Sequence, residues 1–172
     1  YVALSITDHG NVAGVVEHYE QCKENGLIRL LGSEFYITPN MAVRDSEHRK
    51  ELTNHITVYA QNSKGVKNLF KLSSLSFLEG FYYKPRIDYP SLFDYQDGLM
   101  VTSGCIKNDV AQMILRGDDF EDVLKRIQFI RNHLGDRYSL ELMPHNFPEQ
   151  IKVNSALYQV HKLEGIPMVV SL

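Results

Sequence analysis

Two cysteines in 172 residues leave no disulfide framework. Cys22 and Cys105 suit a reducing, cytoplasmic compartment. No Lys/Arg cluster advertises non-specific duplex binding, and the net charge is −3. That excludes a polycationic DNA-coating protein but not a small nucleic-acid substrate held at a metal. No apolar run approaches the ~20 residues of a membrane span and no signal-peptide pattern is present, so no membrane partner is expected. Fixed repeats and low-complexity tracts are also missing. The chain opens on Tyr1 inside a strand pattern and closes on another, Met168 to Leu172. The expectation is a fragment of a longer protein, with residues 1–172 forming a single domain.

What is there is an alternation of strand and helix patterns. Tyr1 to Ile6 reads as a buried strand, and Val12 to Asn25 has helical periodicity closed by Gly26. Leu27 to Ile37 and His55 to Ala60 read as strands, separated by a charged, solvated loop from Met41 to Thr53 in which a hairpin or disorder is expected. Ser63 is placed as the cap of a helix running to about Phe77. An aromatic loop, Glu79 to Pro90, precedes a short helix near Leu92 and a strand Leu99 to Thr102. Helices follow from Asp109 to Leu115 and from Asp118 or Asp119 to His133. A strand Tyr138 to Leu142, a helix Pro148 to Leu163 and a strand Met168 to Val170 complete the chain. This order predicts an α/β fold with a parallel sheet or barrel.

The chemistry-bearing residues fall near strand ends, where parallel α/β folds build their pockets. The first strand delivers Asp8 and His9 into the turn Thr7-Asp8-His9-Gly10-Asn11. The second delivers Glu34, the third opens on His55, and the strand ending at Thr102 leads to Cys105. Imidazole, carboxylate and thiolate are the ligand set of zinc, manganese or iron. Each has a plainer reading. Asp8 serves equally as a helix cap, Glu34 as a lone strand-end acid, His55 as an edge histidine bonded to a carbonyl, and Cys105 as a small buried apolar residue. Glu141 and His145 lie near another strand end, with His145 also reading as an exposed loop residue. Tyr82, Tyr83, Lys84 and Arg86 read either as a stacking and phosphate-binding loop or as a packed surface loop.

The ordered set Thr7-Asp8-His9-Gly10-Asn11, Gly32-Ser33-Glu34, His55-Ile56-Thr57-Val58-Tyr59-Ala60, Gly65-Val66-Lys67-Asn68-Leu69, Gly80-Phe81-Tyr82-Tyr83-Lys84-Pro85-Arg86, Gly98-Leu99, Ser103-Gly104-Cys105 and Tyr138-Ser139-Leu140-Glu141-Leu142 resembles the PHP (polymerase and histidinol phosphatase) domain of bacterial DNA polymerase III alpha subunits of the DnaE type. The resemblance covers nearly the whole chain. It implies a distorted seven-stranded (β/α) barrel lacking its first and last strands here, with a site for divalent metals, zinc or manganese, up to three in a complete domain. By position it implies His9, Glu34, His55 and Cys105 as ligands, with Asp8 supporting its neighbour. Asp8, His9 and Glu34 are the expected catalytic residues, and Lys84 and Arg86 the expected substrate contacts. Glu141 and His145 match no ligand position of the family and stay outside the ligand set, and Met143-Pro144 departs from the polar sequence expected beside His145.

The activity implied is metal-dependent phosphoester hydrolysis, taken as 3′–5′ proofreading exonuclease within a DNA-directed DNA polymerase. The partners implied are a DNA 3′ end and other polymerase III holoenzyme subunits. Two alternatives remain open: a metal-free scaffold of the polymerase, and a free-standing phosphatase of the histidinol-phosphate type.

Overall fold

Alternation along one strand decides how the first half of the chain is built. In β2 (Ile28–Thr38), Phe35 and Ile37 are buried while Glu34 and Tyr36 are half-buried on the opposite face. The neighbouring strand β3 (Asn54–Ala60) repeats this, with Ile56 and Val58 on the buried side and His55 and Thr57 on the other. Phe35 and Ile56 are cross-strand partners in the register. Each fully buried side chain of this size contributes about 1.5–3 kcal/mol. A one-residue slip would exchange the two faces, so the apolar pairing also fixes which polar groups meet.

The computed structural model describes residues 1–44 and 53–171. The expected charged loop between Met41 and Thr53, with His48, lies largely outside the described residues. The chain divides into two compact units, Tyr1–Met100 and Val101–Leu172.

In the first unit, β1 (Ala3–His9) runs parallel to β2, and helix α1 (Val15–Glu24) packs against both. β2 and β3 are antiparallel, where strand–helix alternation alone predicts parallel neighbours. No helical pattern separates these strands in the sequence, and a helical crossover is what a parallel pair of neighbours needs. Helix α2 (Ser63–Leu78) covers the apolar face with Leu69 and Leu72, both fully buried. A short strand β4 (Arg86–Asp88), inside the stretch expected to be loop, pairs in parallel with the end of β2. It leads into α3 (Tyr89–Asp94), whose first turn carries a capping box between Asp88 and Ser91.

Two helix starts differ from expectation, for one physical reason. α1 begins at Val15 rather than Val12 because side chains hold the preceding turn: Ala13 N donates to Asn11 Oδ1 (2.8 Å) and Gly14 N to Asp8 Oδ2 (2.7 Å). α2 is capped by Asn62 rather than Ser63. Its Oδ1 accepts from Gly65 N at 3.0 Å and its backbone is extended. Both are Asn or Asp side chains satisfying amides that have no intrahelical partner. Asn62→Ala is expected to cost about 1 kcal/mol, seen as faster hydrogen exchange at the Gly65 amide.

In the second unit, β5 (Leu99–Thr102), which begins at the junction, pairs in parallel with β6 (Tyr138–Leu142), and β6 with β7 (Met168–Val170). Helices α4 (Asp109–Arg116), α5 (Phe120–Leu134) and α6 (Pro148–Glu164) supply the buried Ala111, Ile127, Ile130, Leu157 and Val160. Asp119 occupies the N-cap position of α5 without a side-chain cap bond. Asp109 and Arg126 tie α4 to α5 at 2.6 Å. No described helix is long and apolar enough to cross a membrane.

Candidate metal centre

The register of three strands assembles the site. His9, the last residue of β1, lies directly opposite Glu34 in β2. Glu34 lies opposite Thr57 in β3, which puts His55 diagonally across on the same face. The outcome is His9 Nδ1 at 3.4 Å from Glu34 Oε2, with His55 Nδ1 in close contact with Glu34 Oε1. The two imidazole centroids are 5.9 Å apart. Side-chain exposure is 66% for His9, 13% for Glu34 and 12% for His55, so the carboxylate and one ring are sheltered and the other ring faces solvent.

One ligand atom from each of these residues falls within 4.8 Å of the others. Two imidazoles and a carboxylate are a fitting donor set for a divalent ion of the zinc or manganese kind. Three protein ligands with an open side describe a reactive site better than a closed structural one. Sequence reading pointed to all three residues.

The turn after β1 is fastened from below. Gly10 N donates to Glu34 O at 2.8 Å, and the buried Ser33 hydroxyl donates to Asp8 O (3.1 Å) and Asn11 O (2.8 Å). Gly10 has φ +70°, and a Cβ there would meet Pro85 Cγ and the Tyr36 ring at 2.9 Å. Both constraints select glycine. Asp8 caps the approach to α1 through Gly14 N, and it is not part of the three-residue group.

Tyr36 was not singled out in the sequence. Its ring packs edge-on against His55 at 5.0 Å, and Lys84 Nζ lies 5.2 Å from the same ring. The available signal was the alternation Glu34, Tyr36 on β2, which places both on one face. Lys84 is exposed and Arg86 is not. Arg86 is 3% exposed, and its guanidinium donates to Gly80 O (3.0 Å), Met41 O (2.8 Å) and Val43 O (3.1 Å). Burial lowers its pKa, with Arg44 adding a smaller effect of the same sign. The two cations expected to contact substrate thus occupy different environments, one solvated beside Tyr36 and one built into the loop's base.

Cys105 belongs to the second unit, in the loop after β5, half-buried and outside any disulfide. Its carbonyl accepts from Asn108, the N-cap of α4. Glu141 is buried in the same unit, accepting from the hydroxyls of Thr102 and Ser171, while its own N–H donates to Ser103 Oγ at 2.8 Å. Those bonds stitch β5, β6 and the residue after β7 together. His145 is exposed and stacked on Phe147, with ring centroids 5.9 Å apart.

The described chain is a mixed α/β fold that brings a histidine–carboxylate group together on one face of β1, β2 and β3. The PHP domain family model matches residues 1–145, and the chain belongs to that family. It is 35% identical over 166 residues to DNA polymerase III subunit alpha of Borreliella burgdorferi, covering 96% of this chain and 14% of the relative. The Deinococcus radiodurans subunit is 35% identical over 171 residues, with 97% and 13% covered. That of Thermus aquaticus is 36% identical over 170 residues, with 97% and 14% covered. The chain therefore spans about a seventh of the length of these relatives. Among solved structures it matches a candidate metal-dependent phosphoesterase from Bifidobacterium adolescentis. The TM-score is 0.52 at 14% identity, over 99% of this chain and 76% of the other, a likeness of fold.

Proposed function

We propose that this chain is the PHP domain of a replicative DNA polymerase III alpha-type protein and hydrolyses phosphodiesters there with divalent metal, as a 3′–5′ proofreading exonuclease. The observation that carries the reading is the convergence of His9, Glu34 and His55 on one face of β1, β2 and β3. The relatives' names support the parent, and the DNA 3′ end and holoenzyme subunits follow from it as partners.

His9, Glu34 and His55 would hold the ion, zinc or manganese. When bound it supplies a water of lowered pKa and a counter-charge for the scissile phosphate. The residues themselves do the positioning. Glu34 touches both imidazoles, so it fixes their rotamers and the separation of their nitrogens. Tyr36 blocks one edge of His55 and keeps that ring from turning away. Lys84, beside Tyr36, offers an ammonium to the substrate phosphate. Arg86 shapes the loop that carries Lys84, through its three carbonyl contacts. Asp8 holds the turn that follows His9's strand.

The reading is tested on the full-length parent, stripped with chelator and reloaded with zinc or manganese. Reloading is expected to restore release of mononucleotides from the 3′ end of single-stranded DNA. Release of phosphate from a small monoester such as histidinol phosphate, with DNA left intact, would replace the exonuclease by a phosphatase. A fully folded parent that binds no metal would leave a scaffold.

A further inference from the structure

The loop from Gly80 to Arg86 is a clamped platform. At its base, Arg86 Nε donates to Gly80 O, and a Cβ on Gly80 would fall 1.8 Å from Arg86 O. Only glycine allows the two arms to approach so closely. One step up, Tyr82 and Lys84 bridge as antiparallel partners, with Tyr82 N donating to Lys84 O at 3.0 Å. Tyr83 sits at the apex with φ +58°, the one non-glycine residue recorded in that region among the described residues. A bulky residue held there is a conformational outlier, and such outliers concentrate at functional positions.

The clamp has a directional result. The Arg86 guanidinium lies 5.2 Å from the Tyr82 ring centre, and the Tyr82 ring meets Tyr83 edge-on at 4.7 Å. The series runs from a buried cation outward to Tyr83, a residue that is 60% exposed. Lys84, the next residue, reaches back to Tyr36, which abuts His55 of the metal centre. An exposed aromatic face, an adjacent ammonium and a candidate hydrolytic site follow one another along a single loop. Stacking on an aromatic ring with a cation on the backbone is how proteins take unpaired nucleotides without reading sequence.

We propose that Tyr83 is a substrate-positioning residue. An unpaired terminal base of single-stranded DNA stacks on its ring, Lys84 contacts the adjoining phosphate, and the site thereby selects frayed ends over paired ones. This rests on the phosphoesterase reading for its consequence but not for its test, which needs neither metal nor turnover. Base pairing holds a terminal base against its partner and its inner neighbour, so it cannot swing out onto the ring with its phosphate at Lys84 as an unpaired base can.

The experiment uses the full-length parent in excess chelator. The probe is a single-stranded oligonucleotide bearing 5-iododeoxyuridine at its 3′ terminus, irradiated at long wavelength and mapped by mass spectrometry. A crosslink on Tyr83 is expected, falling at least about fivefold in Tyr83→Ala and Tyr83→Gly and kept in Tyr83→Phe. The glycine variant removes the ring while accepting the left-handed backbone, so its loss cannot be assigned to strain. Lys84→Ala is expected to lower the salt slope of oligonucleotide crosslinking by about one. Equal yield from a fully paired end, undiminished yield in Tyr83→Gly, or crosslinks confined to other residues would overturn the proposal. A Tyr83 crosslink in a parent that hydrolyses no DNA when reloaded with metal supports this proposal and removes the phosphoesterase reading. Hydrolysis without that crosslink does the reverse.

Discussion

Glu34→Gln in the full-length parent is expected to lower metal affinity at this site by about 100-fold or more and to abolish the hydrolysis that depends on it. Losses of 10–100-fold are usual when only an outer-shell partner is removed, and Glu34 is a candidate ligand. Glutamine keeps the shape and one hydrogen-bond acceptor but carries no charge to offset a divalent ion. The carboxylate is also the one group touching both histidines, Nδ1 of His9 at 3.4 Å and Nδ1 of His55 more closely. Its loss therefore removes a donor and unpins two others. Because the three act together, Glu34→Gln combined with His55→Ala should be scarcely worse than either alone, the non-additivity expected of a unit. The checks are metal per chain by mass spectrometry and nucleotide release from a 3′ end. Unchanged metal content in both single variants would mean that the group is not a metal site. Unchanged hydrolysis with metal lost would place the chemistry elsewhere in the parent.

The elements of this chain were legible because apolar spacing and punctuation agree. Gly26 stops α1's pattern, Gly117 closes α4 in a left-handed turn, and Pro148 opens α6. What spacing could not give was direction. The antiparallel pairing of β2 and β3 follows from their connection, which has no crossover helix, and the register then sets Phe35 opposite Ile56. The short β4 was hidden because Arg86-Ile87-Asp88 is too brief for a period, and it is a strand only because β2's end offers it a partner. At the site, residue types singled out His9, Glu34, His55 and Cys105, because few side chains bind metals; the structure brings the first three together and places Cys105 in the second unit. Residue types could not separate Lys84 from Arg86. Two cations two residues apart look alike in a sequence, and only the carbonyls of Gly80, Met41 and Val43 distinguish a solvated charge from a buried one. Tyr36 was missed for a similar reason. An aromatic on a strand is ordinarily core, and its role here comes from what lies on either side of it.

Arg86→Lys is expected to destabilise the first unit by about 2–3 kcal/mol, although it conserves charge. A buried carbonyl left unpaired costs about 1–3 kcal/mol; the Gly80 contact is buried, and those to Met41 and Val43 are half-buried and add less. A lysine has a single nitrogen on a flexible stem, whereas arginine presents a planar fork of five donors. Here Nε serves Gly80 O while one terminal nitrogen serves Met41 O and Val43 O, so the fork joins two separate segments. A single ammonium cannot span both while keeping the contact of the guanidinium with the Tyr82 ring. Desolvation makes the case stronger. Burial already lowers the pKa of Arg86, yet from so high a starting value that it stays charged. An ammonium in the same place is more strongly hydrated than a guanidinium and costs more to take out of water. Tyr82 and Tyr83 would then lose their footing and the ammonium of Lys84 its fixed reach. The measurements are the denaturation midpoint of the parent and hydrogen exchange at the Tyr82 amide, which donates to Lys84 O across the loop. A substitution that left both unchanged while weakening DNA contact would return Arg86 to the substrate. Loss of loop protection with metal content intact would establish it as the part that holds the platform in place.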